Sequence, residues 1–204
     1  MNAYLKLLRD RRDLRLLWLA GLVSQMGDWM SYVAISLLSI ERGTGAVDVA
    51  LVLVLHTVPK AVLSPISGTL ADRFDRRSVM VWTAVVSAAL TGLMAWAAVD
   101  QWLLAVQLLV LVRASVEALV EPARTSAVAQ VVEREELLTA HALLATSWSV
   151  MFTVGMAFGG LLASLGVGLA IAVDALTFVV AAAVALQLPS LVPGRKNNEK
   201  PGES

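Results

Sequence analysis

Six ionisable side chains interrupt otherwise apolar stretches of this sequence: Asp28, His56, Lys60, Arg113, Glu117 and Asp174. Placed in hydrocarbon, each costs roughly 2.5–3.5 kcal/mol on insertion scales, so each needs a partner or a wet cavity. Arg113, Glu117 and Glu121 follow one another at i, i+4 and i+8 and therefore share one helical face. Two readings are open for this face. Arg113 and Glu117 neutralise each other, or Arg113 faces a cavity and tunes a carboxylate that takes up and releases a proton. Asp28, within Ser24-Gln25-Met26-Gly27-Asp28-Trp29, has the same two readings: a proton or cation site near the membrane midplane, or a carboxylate bonded to a neighbouring helix.

Lys60 follows Pro59 and precedes Pro65. Proline in a membrane helix frees backbone carbonyls and bends the axis. Lys60 lies about two turns from Gly68, close enough to a membrane face to snorkel. His56, one turn deeper, reads as a hydrogen-bonded structural group. Asp174 reads as a helix-packing polar group first and a functional acid second. Gly155 and Gly159 form a G-x-x-x-G step, which with Gly160 predicts close helix packing.

Six membrane helices are needed to position these groups. Their expected ranges are 16–40, 47–68, 78–99, 102–120, 138–165 and 167–188, with a polar connection over 121–136. Each exceeds or approaches the roughly 20 residues that cross about 30 Å of hydrocarbon. A basic cytoplasmic arm over 1–15 precedes this 16–188 domain, and a disordered cytoplasmic tail over 189–204 follows it. Composition demands the same class. Hydrophobic residues make up 58% of the chain, charged residues 16%, and mean hydropathy is +0.74. Soluble domains carry about 25% charge. The apolar runs are continuous rather than alternating, which predicts helices and not barrel strands. The chain is therefore an all-α membrane protein. The basic-then-apolar N-terminus has the order of a signal peptide, but its apolar run is too long and contains Asp28, so it reads as a retained helix.

Zero net charge gives no reason to expect a nucleic-acid partner. No cysteine and two histidines leave no basis for a thiolate or His-rich metal site, and no cofactor is expected. No G-x-S-x-G, H-E-x-x-H or phosphate-cradling glycine loop is present, so the chain does not read as an enzyme. Basic residues fall almost entirely in one set of connections: Lys6 to Arg15, Arg73, Arg76, Arg77, Arg124, Arg134, Arg195, Lys196 and Lys200, against Arg42 alone in the other. The positive-inside rule then places both termini in the cytoplasm.

The most polar stretch between Val47 and Val99 is Gly68-Thr69-Leu70-Ala71-Asp72-Arg73-Phe74-Asp75-Arg76-Arg77, with five charges in its last six positions. It must be a tight, wetted loop at a membrane face. Its pattern G-x-L-A-D-R-x-x-R-R, carried by Gly68, Leu70, Asp72, Arg73, Arg76 and Arg77, resembles the signature loop between the second and third helices of the major facilitator superfamily of transporters. Asp75 stands where that family usually has glycine. Its drug- and siderophore-exporter branch, which includes enterobactin exporters, often has Asp-Arg-Arg there. Other stretches resemble that branch too: Gly27-Asp28, Glu121-Pro122-Ala123-Arg124, Ala140-His141-Ala142-Leu143 with His141 in place of the usual Asn, and Asp174-Ala175 followed by Phe178. The fifth-helix glycines match that branch's motif only in part, since its proline is missing.

The resemblance runs from the first helix to Phe178. It implies half of a major-facilitator fold, the N-terminal six helices of a twelve-helix family built from two halves. It also implies that Arg113 matches a cavity-facing arginine, so that Asp28, Arg113 and Glu117 form a candidate proton and substrate cavity. Asp72 is expected to anchor the conformation open to the outside, by pairing with donors at a helix end or with basic groups of neighbouring helices. The function implied is proton-linked efflux of a small amphiphilic compound or siderophore, in the lipid bilayer of a bacterial inner membrane. The active unit would be a homodimer or would include a separately encoded second half. The rival expectation is a non-transporting membrane protein, a remnant or an assembly partner.

Overall fold

The structure, a computed structural model, describes residues 3–43, 45–71 and 73–192. Among the described residues, eight α-helices follow one another: α1 Ala3–Asp10, α2 Arg12–Arg42, α3 Ala46–Ala71, α4 Arg76–Val99, α5 Leu103–Glu117, α6 Val120–Val131, α7 Leu137–Leu165 and α8 Val167–Ala185, with a short 3-10 turn at Arg134–Glu136 before α7. No strand occurs among the described residues. Between their ends, helices pair backbone N–H and C=O groups internally, which is the requirement hydrocarbon imposes. Five stretches among the described residues are long and apolar enough to cross a bilayer: Ala46–Thr69, Arg76–Val99, Leu103–Val131, Arg134–Leu165 and Val167–Ala185. With 31 residues, α2 has the length of a sixth, but Ser24, Gln25, Asp28 and Ser31 dilute its apolar character.

Three boundaries differ from those expected. Residues 121–136 are not simply a polar connection. Helix resumes at Val120 and runs to Val131, burying Ala123, Ala127 and Val128. The break at 118–119 has a local cause: Pro122 lacks an N–H and its ring crowds the carbonyl of Ala118. The basic arm is helical, with Leu7 buried, and residues 12–15 already belong to α2. The start of the tail is held in place. Leu191 is buried, its N–H donates to Asp75 Oδ1 at 2.6 Å, and its carbonyl accepts from Arg76 N and Nη1, both at 3.3 Å. Residues 193–204 lie outside the described residues.

Packing centres on α2, which lies against α8, α7 and α3, while α4 lies against α8 and α5. A Cβ at Gly155 would sit 2.7 Å from Met26 O, and one at Gly159 would sit 2.7 Å from Met30 Cα. These two glycines therefore let the α7 and α2 backbones approach closely. Gly160 takes no part in that contact, since a Cβ there would meet nothing within 4 Å. A single residue, Gly166, joins α7 to α8 at φ +149°, a conformation that favours glycine.

Two apolar cores result. One, at the end bearing α1, gathers Leu14, Leu17, Met80, Val128 and Leu191. The other, at the opposite end, gathers Ile35, Leu38, Met94, Val110 and Ile171. Between them in sequence, on the same helices, lie the buried polar residues Ser31, Ser87, Thr91, Arg113, Glu117, Asp174 and Thr177.

Candidate functional site

Four long helices deliver charge to this polar layer. Asp28 lies 16 residues from the start of α2 and 14 from its end, roughly 24 and 21 Å along the axis. Arg113, from α5, is 2% exposed and organises the layer. Its Nη1 lies 2.8 Å from Asp174 Oδ2 on α8 and donates to Thr91 Oγ1 of α4 at 3.3 Å. Its Nη2 lies 3.2 Å from Asp28 Oδ1, and its Nε lies 3.4 Å from Glu117 Oε1 one turn along α5. The guanidinium carbon also sits 5.4 Å from the centre of the Phe178 ring, within cation–π range.

Lys60, from α3, completes the set. Its ammonium is 2.7 Å from Glu117 Oε2 and 3.4 Å from His56 Nε2. Fully ionised, the cluster holds two cations and three carboxylates, a net charge of −1. Gly27 makes room for it. A Cβ there would lie 2.1 Å from Thr177 Oγ1 and 2.3 Å from Asp174 Oδ1, so only glycine lets α8 bring its acid this close to α2. Thr177 in turn donates to Asp174 O at 2.7 Å and to Oδ1 at 3.2 Å.

A cavity of about 770 Å³ opens beside the cluster. Asp28, Lys60 and Glu117 line it together with Trp29, Trp148 and Phe178, and it extends to Gly21, Gly68 and Arg124. Trp29 forms the hub of an aromatic group, with Phe152 edge-on at 4.5 Å, Trp148 at 6.0 Å and Tyr32 at 5.8 Å between ring centres. Further along, Arg124 pairs with Glu121. With the amide oxygen of Gln25 facing it, Arg124 also donates to α2 at 2.7 and 3.0 Å.

The placement of several residues differs from the sequence expectation. Arg113 does not line the cavity. Three carboxylates draw it into the wall behind Asp28 and Glu117, and Asp174 lies there with it. Lys60 does not snorkel to a face; it turns inward to Glu117 from the middle of α3. Glu121 leaves the face of Arg113 and Glu117, because the break before α6 rotates it onto Arg124. Of the signature loop, Gly68 lines the cavity, Arg73 is exposed and Arg76 is buried, and Arg77 donates to Leu186 O at 2.6 Å. Asp72 lies outside the described residues. Sequence reasoning named Lys60 but not its pairing with Glu117, and it missed Thr91 and the Trp29–Trp148–Phe152 group. The i, i+4 spacings of His56 with Lys60 and of Trp148 with Phe152 were the available signals.

A sequence profile of the Major Facilitator Superfamily matches residues 17–204. The chain belongs to this superfamily. It is therefore a transporter-family membrane protein and not an enzyme, and its helical bundle is part of a major-facilitator fold. YfiS of Bacillus subtilis (strain 168), an uncharacterized transporter of the same type, is 35% identical over 75 residues. That stretch covers 36% of this chain and 18% of YfiS, so the similarity reaches well under two thirds of the relative's length.

At the end of this major-facilitator bundle that bears α1, charge pairs join separate elements. Arg11 lies 2.5 Å from Glu133 Oε1 and 3.0 Å from Glu136 Oε2, and the hydrogen bond to Glu133 raises the Arg11 pKa above its ordinary value.

Proposed function

We propose that this chain is a six-helix unit of a secondary transporter of the exporter type. It carries out proton-linked efflux of a small amphiphilic compound or siderophore across the bacterial inner membrane, with both termini cytoplasmic. The observation that carries this reading is the five-charge cluster at the wall of the cavity. Its two cations and three carboxylates leave one negative charge over, and a single proton on a carboxyl neutralises the set. Asp28 and Glu117 touch both the cavity and Arg113, so a proton or substrate arriving at either one alters the bonds of the other. A remnant without transport has no use for five ionised groups at roughly 2.5–3.5 kcal/mol each.

A second six-helix unit completes the path. Only 11% of the most apolar stretch of α3 and of α7 is buried, against 33–39% for the other three spans, so these two helices have faces left to cover. The cavity they flank would otherwise open its charges to lipid.

The decisive experiment is substrate flux in reconstituted vesicles across a range of pH. Asp28→Asn and Glu117→Gln should each flatten the pH dependence while the protein still inserts. Wild-type pH profiles in both variants would sink proton coupling at this cluster. Cysteines at Ser24 or Gly68, on the naturally Cys-free background, should cross-link between units in membranes. A chain that stays monomeric and copurifies with no partner would remove the two-unit reading.

A further inference from the structure

We propose that the Lys60 ammonium is a tethered stand-in for a cationic substrate, occupying at Glu117 the place that a monovalent organic cation takes when it enters the cavity. The inference rests on the transport reading above and names the substrate class of that same site.

Lys60 is the exchangeable member of the cluster. Its side chain is 33% exposed, against 2% for Arg113 and 7% for Glu117. It comes from α3, one of the two least buried spans, and carries its charge on a flexible four-carbon stem. Glu117 does not lose all compensation when Lys60 leaves, because Arg113 Nε stays 3.4 Å from its other oxygen.

What remains after that departure selects for positive charge. Arg113 alone then faces three ionised carboxylates, a balance of −2. Two of these acids, Asp28 and Glu117, line the cavity, and the Trp29 and Trp148 rings line it with them. Ring faces attract cations, most strongly when desolvated. The ligand that satisfies both is one cationic centre on a flat or branched apolar body, an aryl ammonium or phosphonium. The cavity's roughly 770 Å³ is in the range of drug-sized sites.

The test uses the whole chain in lipid nanodiscs at one fixed pH, with no gradient and protein-free nanodiscs as the blank. Tetraphenylphosphonium and tetraphenylborate share size and shape and differ in the sign of charge. Quenching of tryptophan fluorescence should report binding of the phosphonium in preference to the borate. Lys60→Met should tighten phosphonium binding by at least about fivefold, the low end of coupling between linked sites, and Glu117→Gln should weaken it. A second readout needs no variant. Modification of Lys60 by an amine-directed reagent, normalised to Lys6, should rise when phosphonium is added. Phosphonium binding that is unchanged or weaker in Lys60→Met overturns the proposal. Equal or better binding of the borate overturns it as well. So does flat Lys60 labelling at saturating phosphonium, which decides the matter if the methionine variant fails to fold. Binding is read here without flux, so loss of proton coupling leaves this proposal standing. Failure here likewise leaves the pH-dependent flux reading untouched.

Discussion

Replacing Arg113 with methionine removes the one group that touches all three carboxylates of the buried layer. The apolar volume is largely kept, so packing alone costs less than about 1.5 kcal/mol. The electrostatic cost is larger. The guanidinium sits 2.8 Å from Asp174, 3.2 Å from Asp28 and 3.4 Å from Glu117, and Asp174 is 0% exposed. Its loss leaves Lys60 as the single cation against three acids, and Lys60 contacts only Glu117 among them. Removing one partner of a buried pair costs about 3–5 kcal/mol, because the other is left uncompensated. Reversible unfolding in mixed micelles should therefore place Arg113→Met about 3–5 kcal/mol below wild type. Adding Asp174→Asn removes the deepest orphaned charge while keeping its shape. The double variant should be at least about 1 kcal/mol more stable than the sum of the single effects allows. Thr91→Ala, which removes one neutral partner of Arg113, should cost only about 1 kcal/mol. A cost below about 1 kcal/mol for Arg113→Met, or effects that add within about 0.5 kcal/mol, would refute the view that Arg113 holds the layer together.

Other perturbations separate the remaining contacts. Gly27→Ala places a methyl 2.3 Å from Asp174 Oδ1, so thermal melting should show a loss of about 1–3 kcal/mol, the cost of overpacking; an unchanged melt would mean that α8 is free to retreat. Gly159→Leu should destabilise the α2–α7 contact by a similar amount, whereas Gly160→Ala, which meets open space, should stay within about 0.5 kcal/mol of wild type. Asp75→Ala removes the acceptor for Leu191 N–H and should speed limited proteolysis around residues 189–192, without lowering the melting temperature of the bundle. Reporter fusions after Glu41 and Asp100 should read outside and those after Arg77 inside, and an inside reading at Asp100 would overturn the orientation.

The helical membrane class was legible because hydrocarbon leaves few options. Long continuous apolar runs, broken by Gly166 or by the charged stretch around Arg73, place helices with little ambiguity. The continuation of helix through 120–131 was hidden because its polar residues Glu121, Arg124 and Gln130 read as a polar loop, while Ala123, Ala127 and Val128 are buried at helical spacing. The site was legible as a set of costly residues but not as a network. One-helix spacing pointed to the pairing of Arg113 with Glu117, yet the shortest contact of Arg113 is with Asp174, 61 positions away. Lys60 was misplaced for a related reason. Distance to the nearest membrane face says where an ammonium can escape, but not that a carboxylate on another helix holds it in. Gly27 carried no signal of its own, since its role appears only when α8 is laid across it.

The buried polar layer between the two apolar cores has a mechanical consequence. Close-packed apolar side chains resist sliding, because small displacements already forfeit much of their contact. Charges behave differently. Arg113 has three acids within reach and Glu117 has two cations, so the layer can trade one pairing for another by side-chain rotation, with no net change in the number of ions held. The bundle thus resembles two stiff blocks coupled by a joint. The helices that cross the joint can change tilt there while each block keeps its interior intact. Strain then concentrates at the level where the cavity is lined by charge.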